Sequence, residues 1–166
     1  MSNGDRYTQA MALLESPATY PGLPARDRSL VQLRVWRYPS CLHSSSWAVL
    51  RVAKALFLRR ITWDQRRPVI PEPITYGSEV PLDAAAFEAL LHRLQVIELP
   101  PFLPASTVGI DGTSYGVEVG SFGLSARLSW WESPPDAWSP LEAWHASAIA
   151  QFEGLLPAST PGLGHG

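Results

Sequence analysis

The chain has 166 residues, a hydrophobic fraction of 46%, a charged fraction of 17% and a formal net charge of −2 at pH 7. This length suits one domain with one core, and the composition is too apolar for a disordered chain. Residues 1–67 carry eleven Arg and Lys against four Asp and Glu, whereas residues 68–166 carry two against eleven. We expect the two oppositely charged halves to pack together; a basic half that faces an anionic partner is the alternative.

The sequence also bears on the compartment. No apolar run approaches the roughly 20 residues of a membrane-spanning helix, and the N-terminus lacks the basic and apolar regions of a secretion signal. Cys41 is the single cysteine, so an internal disulfide is excluded and a reducing compartment fits. We therefore expect a cytoplasmic protein with no membrane partner.

The first predicted elements are a lead and a strand. Residues 1–28 are expected to be irregular, apart from a short helix over "TQAMALLE" that ends before Pro17. Residues 30–38 alternate between side chains that point to opposite sides. This period of two predicts a strand with one buried face.

Residues 47–53 and 56–64 also alternate. They predict two strands joined by a tight turn near Lys54. A helix that begins near Ser46 stays open as the alternative, because periodicity discriminates poorly in apolar stretches. Four prolines within residues 65–82 predict a loop there.

A helix is predicted after this loop. Asp83 is a good N-cap, and Pro100 and Pro101 forbid continuation. Between them, apolar residues repeat at helical spacing and form one stripe, which consists of Phe87, Leu90, Leu91 and Leu94.

Hairpins are predicted next. Asp111-Gly112 is a favoured two-residue turn with a strand expected on each side, and Gly120 and Gly123 flank a second turn. In the strand that follows, Trp130 shares a face with two leucines and is assigned to the core.

The last predicted element is a helix. Ser139 is the expected N-cap, with Pro140 in the first position and Glu142 completing a capping box. Its apolar stripe includes Trp144, which is therefore assigned to the core. Residues 157–166 are expected to be a disordered tail.

The order of these elements predicts the fold class. Strands precede each helix in runs rather than alternating singly with helices, which favours an α+β fold. We expect a mainly antiparallel sheet of about five or six strands, with two helices covering one face. Residues 29–156 form a single domain in this interpretation.

One short motif suggests a serine nucleophile. "GTSYG", residues 112–116, matches the G-x-S-x-G pattern of hydrolases, and Asp136 and His145 follow Ser114 in the hydrolase order. That pattern requires a helix that starts at the serine, whereas "YGVEV" continues as a strand. Ser114 and His145 are therefore weak catalytic candidates.

Cys41 and His43 are a second pair of weak catalytic candidates. A thiol nucleophile needs a nearby base, which His43 offers, but both residues fit a loop equally well. The four histidines and one cysteine form no zinc pattern, and neither glycine-rich phosphate motif occurs. We expect no metal site and no cofactor.

Unpaired aromatic residues are the candidate binding residues. Trp131 lies on the face opposite to Trp130, together with Arg127, within reach of a cation–π contact. Trp138 precedes the last helix, and Trp36 lies in the first strand. An exposed patch of Trp131, Trp138, Arg127 and Trp36 would mark a partner or ligand site.

The segment "RRITWDQRR", residues 59–67, places four arginines around Trp63. This composition is typical of proteins that bind single-stranded nucleic acid. Asp64 interrupts it, however, and the chain is slightly acidic. We expect a solvated strand edge here, and nucleic acid is not the expected partner.

The layout is similar to that of a known group. The segments "RVWRYPS", "ELPPF" and "DGTSYGVEV", followed by a hairpin, a tryptophan and a final helix, span roughly residues 30–156. In this it resembles small stand-alone bacterial proteins of unassigned function that carry Asp-Gly-x-x-(Tyr/Trp) before a hairpin. The resemblance implies no activity, cofactor or partner.

These observations together favour a non-enzymatic domain that binds another protein, as an immunity or accessory factor does. Two alternatives stay open. One is a small hydrolase that uses Ser114 or Cys41, and the other is an aromatic platform that binds carbohydrate or single-stranded nucleic acid. The sequence leaves the partner and the oligomeric state open.

Overall fold

The computed structural model describes residues 3–65, 73–100 and 111–158. Its helices are α1 (Asn3–Glu15), α2 (Ala84–Gln95) and α3 (Ser139–Leu155). Its strands are β1 (Leu30–Pro39), β2 (His43–Val52), β3 (Ala55–Asp64), β4 (Thr75–Leu82), β5 (Thr113–Ser121) and β6 (Leu124–Trp131).

The described strands form one six-stranded sheet in the order β4-β3-β2-β1-β5-β6, and every neighbouring pair is antiparallel. The predicted α+β class is therefore confirmed. The hairpin of β2 and β3 is confirmed as well, since their pairing runs without a break from His43 opposite Asp64 to Val52 opposite Ala55. The alternative helix from Ser46 is excluded by the same pairing.

Helices α2 and α3 cover one face of the sheet, as predicted. The large core lies between them and the inward side chains of the strands, and it contains Trp130 and Trp144 as expected. Its other buried members include Leu33, Val35, Trp47, Val49, Leu58, Phe87, Val117, Leu141 and Phe152.

Helix α1 packs on the opposite face of the sheet. Ala10 and Leu14, four residues apart, form its buried side and pack with Ile61 and Trp63 of β3. The short helix expected over "TQAMALLE" is therefore confirmed and ends at Glu15, before Pro17. It begins earlier than expected, at Asn3, within residues that were expected to be irregular. None of the helices that the structure describes is long and apolar enough to cross a lipid bilayer.

The loop predicted over residues 65–82 is wrong for its second part, where Thr75–Leu82 form strand β4, and residues 66–72 lie outside the described residues. The prolines of this segment favoured a loop. Pro81 nevertheless lies in an edge strand, where a missing N–H group need not break the hydrogen bonds between strands. The strand expected before Asp111 and most of the expected tail fall outside the described residues.

The start of α3 differs from the predicted capping box. A 3-10 turn over Asp136–Trp138 runs directly into the helix, and Trp138 is the N-cap without a side-chain hydrogen bond. The backbone of Ser139 is already helical and donates to the carbonyl of Asp136. The hydroxyl of Ser139 consequently has no capping role.

The two oppositely charged halves of the chain do pack together. Arginines of the first half bind carboxylates of the second in the pairs Arg26–Glu79, Arg59–Glu79, Arg34–Glu118 and Arg60–Glu153. Arg59 is fully buried and also donates to the carbonyl of Pro17 at 2.6 Å. The solvated edge predicted for residues 59–67 is wrong for Arg59 and Arg60, because both are buried in β3, which is an inner strand of the sheet. Residues 66–67 of that segment lie outside the described residues.

Candidate functional site

The face of the sheet that carries α1 is built from cross-strand rows. Tyr38 of β1 lies opposite Ser114 of β5, which lies opposite Trp131 of β6. Neighbouring strands are about 4.8 Å apart, so the two aromatic residues stand about 10 Å apart with a small serine between them. The sheet therefore has a trough above Ser114.

The next cross-strand row, beside this trough, contains a large side chain that covers the neighbouring strand. Trp36 of β1 lies opposite Gly116, which lies opposite Ser129. A Cβ at Gly116 would collide with the indole of Trp36, so the indole lies across β5 at a position where the strand has no side chain. Trp36 is 1% exposed. It is not part of an exposed patch, as the sequence had suggested, but a buried floor.

The third row is charged and consists of Arg34, Glu118 and Arg127. Nη2 of Arg34 donates to Oε2 of Glu118 at 2.7 Å. Both guanidinium groups lie over the ring of Trp36, with distances to its centroid of 5.0 Å for Arg34 and 4.8 Å for Arg127. The cation–π contact expected between Arg127 and Trp131 is therefore formed with Trp36.

Helix α1 turns the trough into a cleft of about 340 Å³, which we call the α1 cleft. Tyr7, Met11 and Glu15 of α1 face the sheet across it. At its rim, Nη2 of Arg127 and Oε1 of Glu15 are 3.5 Å apart, and both side chains are about half exposed. The cleft thus has aromatic and serine walls inside and an open ion pair at its mouth.

Tyr38 and Trp131 line the α1 cleft, and each carries one buried polar atom. Nε1 of Trp131 has no hydrogen-bond partner among the described residues, whereas the hydroxyl of Tyr38 contacts the Ser46 side chain. Burial raises the pKa of Tyr38 far above its ordinary value, and the charges of Arg34 and Arg127 and the hydrogen bond with Ser46 offset only part of this. The hydroxyl is therefore protonated and can donate. An unsatisfied buried donor carries a desolvation cost, and such groups call for an explanation.

The predicted serine and histidine candidates do not meet. Ser114 lies in the middle of β5 and lines the α1 cleft. His145 of α3 contacts the ring of Tyr115 on the opposite face of the sheet, and its Nε2 lies 3.1 Å from the carbonyl oxygen of Trp36. Burial lowers the pKa of His145 to about 4, against the opposing effect of hydrogen bonds to the backbone of Trp36 and Gly116. The sheet separates this imidazole from the Ser114 hydroxyl.

Cys41 and His43 lie at the turn between β1 and β2. Cys41 is an exposed free thiol. Nδ1 of His43 is 3.8 Å from Oδ1 of Asp64 on the neighbouring strand. Within the described residues, no group of three or more His, Cys, Asp or Glu side chains is placed to hold a metal ion.

Trp138 is remote from the α1 cleft. It is partly buried against the large core, on the face covered by α2 and α3, and its Nε1 donates to the carbonyl of Pro100 at 3.1 Å. Of the four predicted binding residues, the structure therefore brings Trp36, Arg127 and Trp131 together and leaves Trp138 elsewhere.

A second surface adjoins the α1 cleft along β6, which is an edge strand of the described sheet. Phe122, in the turn between β5 and β6, is 100% exposed, and Leu124 at the start of β6 is 73% exposed. Neither residue was predicted from the sequence as part of a binding site. The feature of the sequence that could have indicated this surface is a phenylalanine in a two-residue turn, where polar residues and glycine are usual.

The two edges of the sheet differ in their protection. Strand β4 contains Pro81, and Glu79 binds Arg26 from the segment after α1. Strand β6 contains no proline or lysine, and its pairing with β5 continues without a bulge from Leu124 to Trp131. Proteins commonly blunt edges with prolines, bulges and charged side chains. Strand β6 has no proline and no bulge, and Arg127, which lies 3.5 Å from Glu15, is its one charged side chain.

Comparison of the chain with protein-family models, curated proteins and solved structures finds no match. The resemblance to small bacterial proteins stays a prediction, and the function must be argued from the α1 cleft and the β6 edge.

Proposed function

We propose that this protein is a non-enzymatic binding protein that engages another protein along the edge of β6. The observation that carries this proposal is the complete exposure of Phe122, beside Leu124, at the start of β6, which is an edge strand of the described sheet. A large apolar side chain in water gains about 1.5–3 kcal/mol when it is fully buried, so this tip favours association.

Strand addition is the mode of binding that suits this surface. An extended segment of a partner can pair its backbone with the outer edge of β6, and alternate side chains then provide specificity. The residues along the first half of β6, Leu124, Ser125, Ala126 and Arg127, are all exposed. The exposed phenylalanine would anchor one end of the added strand.

Charge favours a different chain over a second copy of this one. If two β6 strands paired antiparallel about the middle of the strand, Arg127 would lie close to its own copy, and like charges in such positions are destabilising. A partner strand with Asp or Glu opposite Arg127 makes a favourable pair instead. We propose an acidic partner strand for this reason.

The compartment forms part of the proposal. The exposed free thiol of Cys41 suits a reducing environment. We therefore place the complex in the cytoplasm.

The test compares capture of the partner by three forms of the protein. The Phe122→Ser/Leu124→Thr double variant removes the apolar tip, and Val96→Ser removes a comparable apolar side chain, 63% exposed, at the end of α2. All three should melt alike, because surface substitutions usually change stability by less than about 0.5 kcal/mol.

The protein is captured from the cell that naturally produces it, and the stoichiometric partner is quantified by mass spectrometry. We expect Val96→Ser to retain the partner and the double variant to lose it by more than about tenfold, as for an interface anchor. Equal recovery with the double variant, or the absence of any stoichiometric partner with the unaltered protein, would reject the proposal.

A further inference from the structure

We propose that the α1 cleft is a binding site for a small aromatic carboxylate. The cleft lies between α1 and the face of the sheet rather than along the outer side of β6, and it shares Arg127 with the protein-docking edge. Its volume of about 340 Å³ falls at the lower end of the range of small-molecule sites. A compact ligand of one or two rings suits this size.

The walls favour a flat, apolar ring. Tyr38 and Trp131 stand on either side of Ser114, and Trp36 forms the floor of the neighbouring row. Because Ser114 is small, it leaves room between the two outer aromatic residues above the strand. Aromatic pairs prefer stacked or edge-to-face arrangements with centroids 4.5–7 Å apart, so a ring inserted there has aromatic partners on both sides.

The polar atoms of these walls favour a ligand with hydrogen-bond acceptors. Nε1 of Trp131 is a donor only and has no partner among the described residues, whereas the hydroxyl of Tyr38 already contacts the Ser46 side chain and donates to a ligand only in its place. The alternation of β1 and β6 directs both side chains towards α1. A carbonyl, ether or carboxylate oxygen that reaches Nε1 of Trp131 would satisfy this donor and remove its desolvation cost.

The mouth of the cleft selects a carboxylate among these acceptors. Arg127 offers five N–H donors in a planar fork, and the long contact with Glu15 occupies one of its nitrogen atoms. An exposed pair of this kind contributes little stability, so water or a ligand can compete for the guanidinium. A planar carboxylate matches the fork with two parallel hydrogen bonds.

NMR of the tryptophan side chains tests this proposal directly. The chain has seven tryptophans, each with one indole N–H signal, and the signal of Trp131 is assigned by its loss in Trp131→Phe. Benzoate is titrated to about 10 mM, which detects dissociation constants in the millimolar range. Two analogues are titrated for comparison: cyclohexanecarboxylate, which lacks the aromatic ring of benzoate, and benzamide, which lacks its charge.

We expect benzoate to shift the Trp131 signal saturably and to bind more tightly than either analogue. Trp131→Phe and Tyr38→Phe each keep the ring and remove one donor, and each should weaken benzoate binding by about five- to tenfold. Arg127→Gln should weaken benzoate binding while leaving benzamide binding unchanged.

The control is Trp130→Phe, whose Nε1 is also buried without a partner but lies on the other face of the sheet. This variant should bind benzoate like the unaltered protein. The proposal fails if benzoate leaves the Trp131 signal unmoved, if benzamide or cyclohexanecarboxylate binds as tightly, or if Trp130→Phe weakens binding as much as Trp131→Phe.

Discussion

The burial of His145 makes the stability of the protein depend on pH in a defined window. The side chain is 3% exposed, and its Nε2 lies 3.1 Å from the Trp36 carbonyl oxygen. Burial lowers its pKa to about 4, whereas an unfolded chain has a histidine pKa of about 6.5. Between these two values the unfolded chain binds more protons than the folded one, so the free energy of unfolding falls as the pH falls.

The magnitude follows from the difference between the two pKa values. One pKa unit corresponds to about 1.4 kcal/mol, so the loss is about 2 kcal/mol between pH 6.5 and pH 5 and about 3 kcal/mol at pH 4. Above about pH 6.5 this contribution is fully present. Burial tends to raise the pKa of Glu79, but hydrogen bonds from Arg26 and Arg59 outweigh this and lower it. That carboxylate loses its stabilising effect only below its ordinary pKa, so Glu79 contributes little to the change between pH 6.5 and pH 5.

Urea unfolding at pH 7 and pH 5 measures this effect. The matched control is His145→Gln, which keeps an N–H donor for the Trp36 carbonyl and does not titrate. We expect the unaltered protein to lose about 2 kcal/mol between these pH values relative to the variant. If both proteins lose the same amount, the assignment of the pH dependence to the buried imidazole is refuted.

Three further predictions concern stability and are measured by thermal or urea unfolding. Gly116→Ala forces a Cβ into the indole that crosses β5 and should lower the free energy of unfolding by about 1–3 kcal/mol. The control is Gly154→Ala in α3, which has open space around it and should be neutral or stabilising by up to about 1 kcal/mol. Equal effects of the two substitutions would contradict the packing described for β5. Arg59→Met leaves buried carbonyls and one side of Glu79 without their donor and should lower the free energy of unfolding by about 3–5 kcal/mol. A loss below about 1 kcal/mol would mean that the buried hydrogen bonds and ion pair of Arg59 do not stabilise the fold. Asp83→Ala removes the side-chain cap of α2 and should cost about 1 kcal/mol, and an unchanged midpoint would argue against that cap.

The sequence predicted those parts of the fold that depend on local patterns. Alternation located β1 and the β2–β3 hairpin, and Asp83 with its apolar stripe located α2. These signals are local because a strand face and a helix stripe are set by neighbouring residues. The opposite faces of Trp130 and Trp131 were predicted for the same reason.

The errors arose where tertiary position decides the outcome. Pro81 argues against a strand unless that strand is an edge, and the place of β4 in the sheet is not encoded locally. Trp36 was expected to be exposed because its strand neighbours are polar, but its burial depends on Gly116, which lies 80 positions away in the chain and on the neighbouring strand. The α1 cleft requires α1 and four strands, β1, β2, β5 and β6, together, so no single segment of the sequence could reveal it.

The central claim, that the protein binds a partner along β6, is tested most directly by site-specific photo-crosslinking in the native cell. A photoreactive phenylalanine analogue replaces Ala126 on β6 or, as the control position, Val96 after α2; both positions are exposed. We predict one discrete crosslinked protein from position 126 and none from position 96, and we predict that Arg127→Glu abolishes the adduct. The same adducts from both positions, or no adduct from position 126, would contradict the claim.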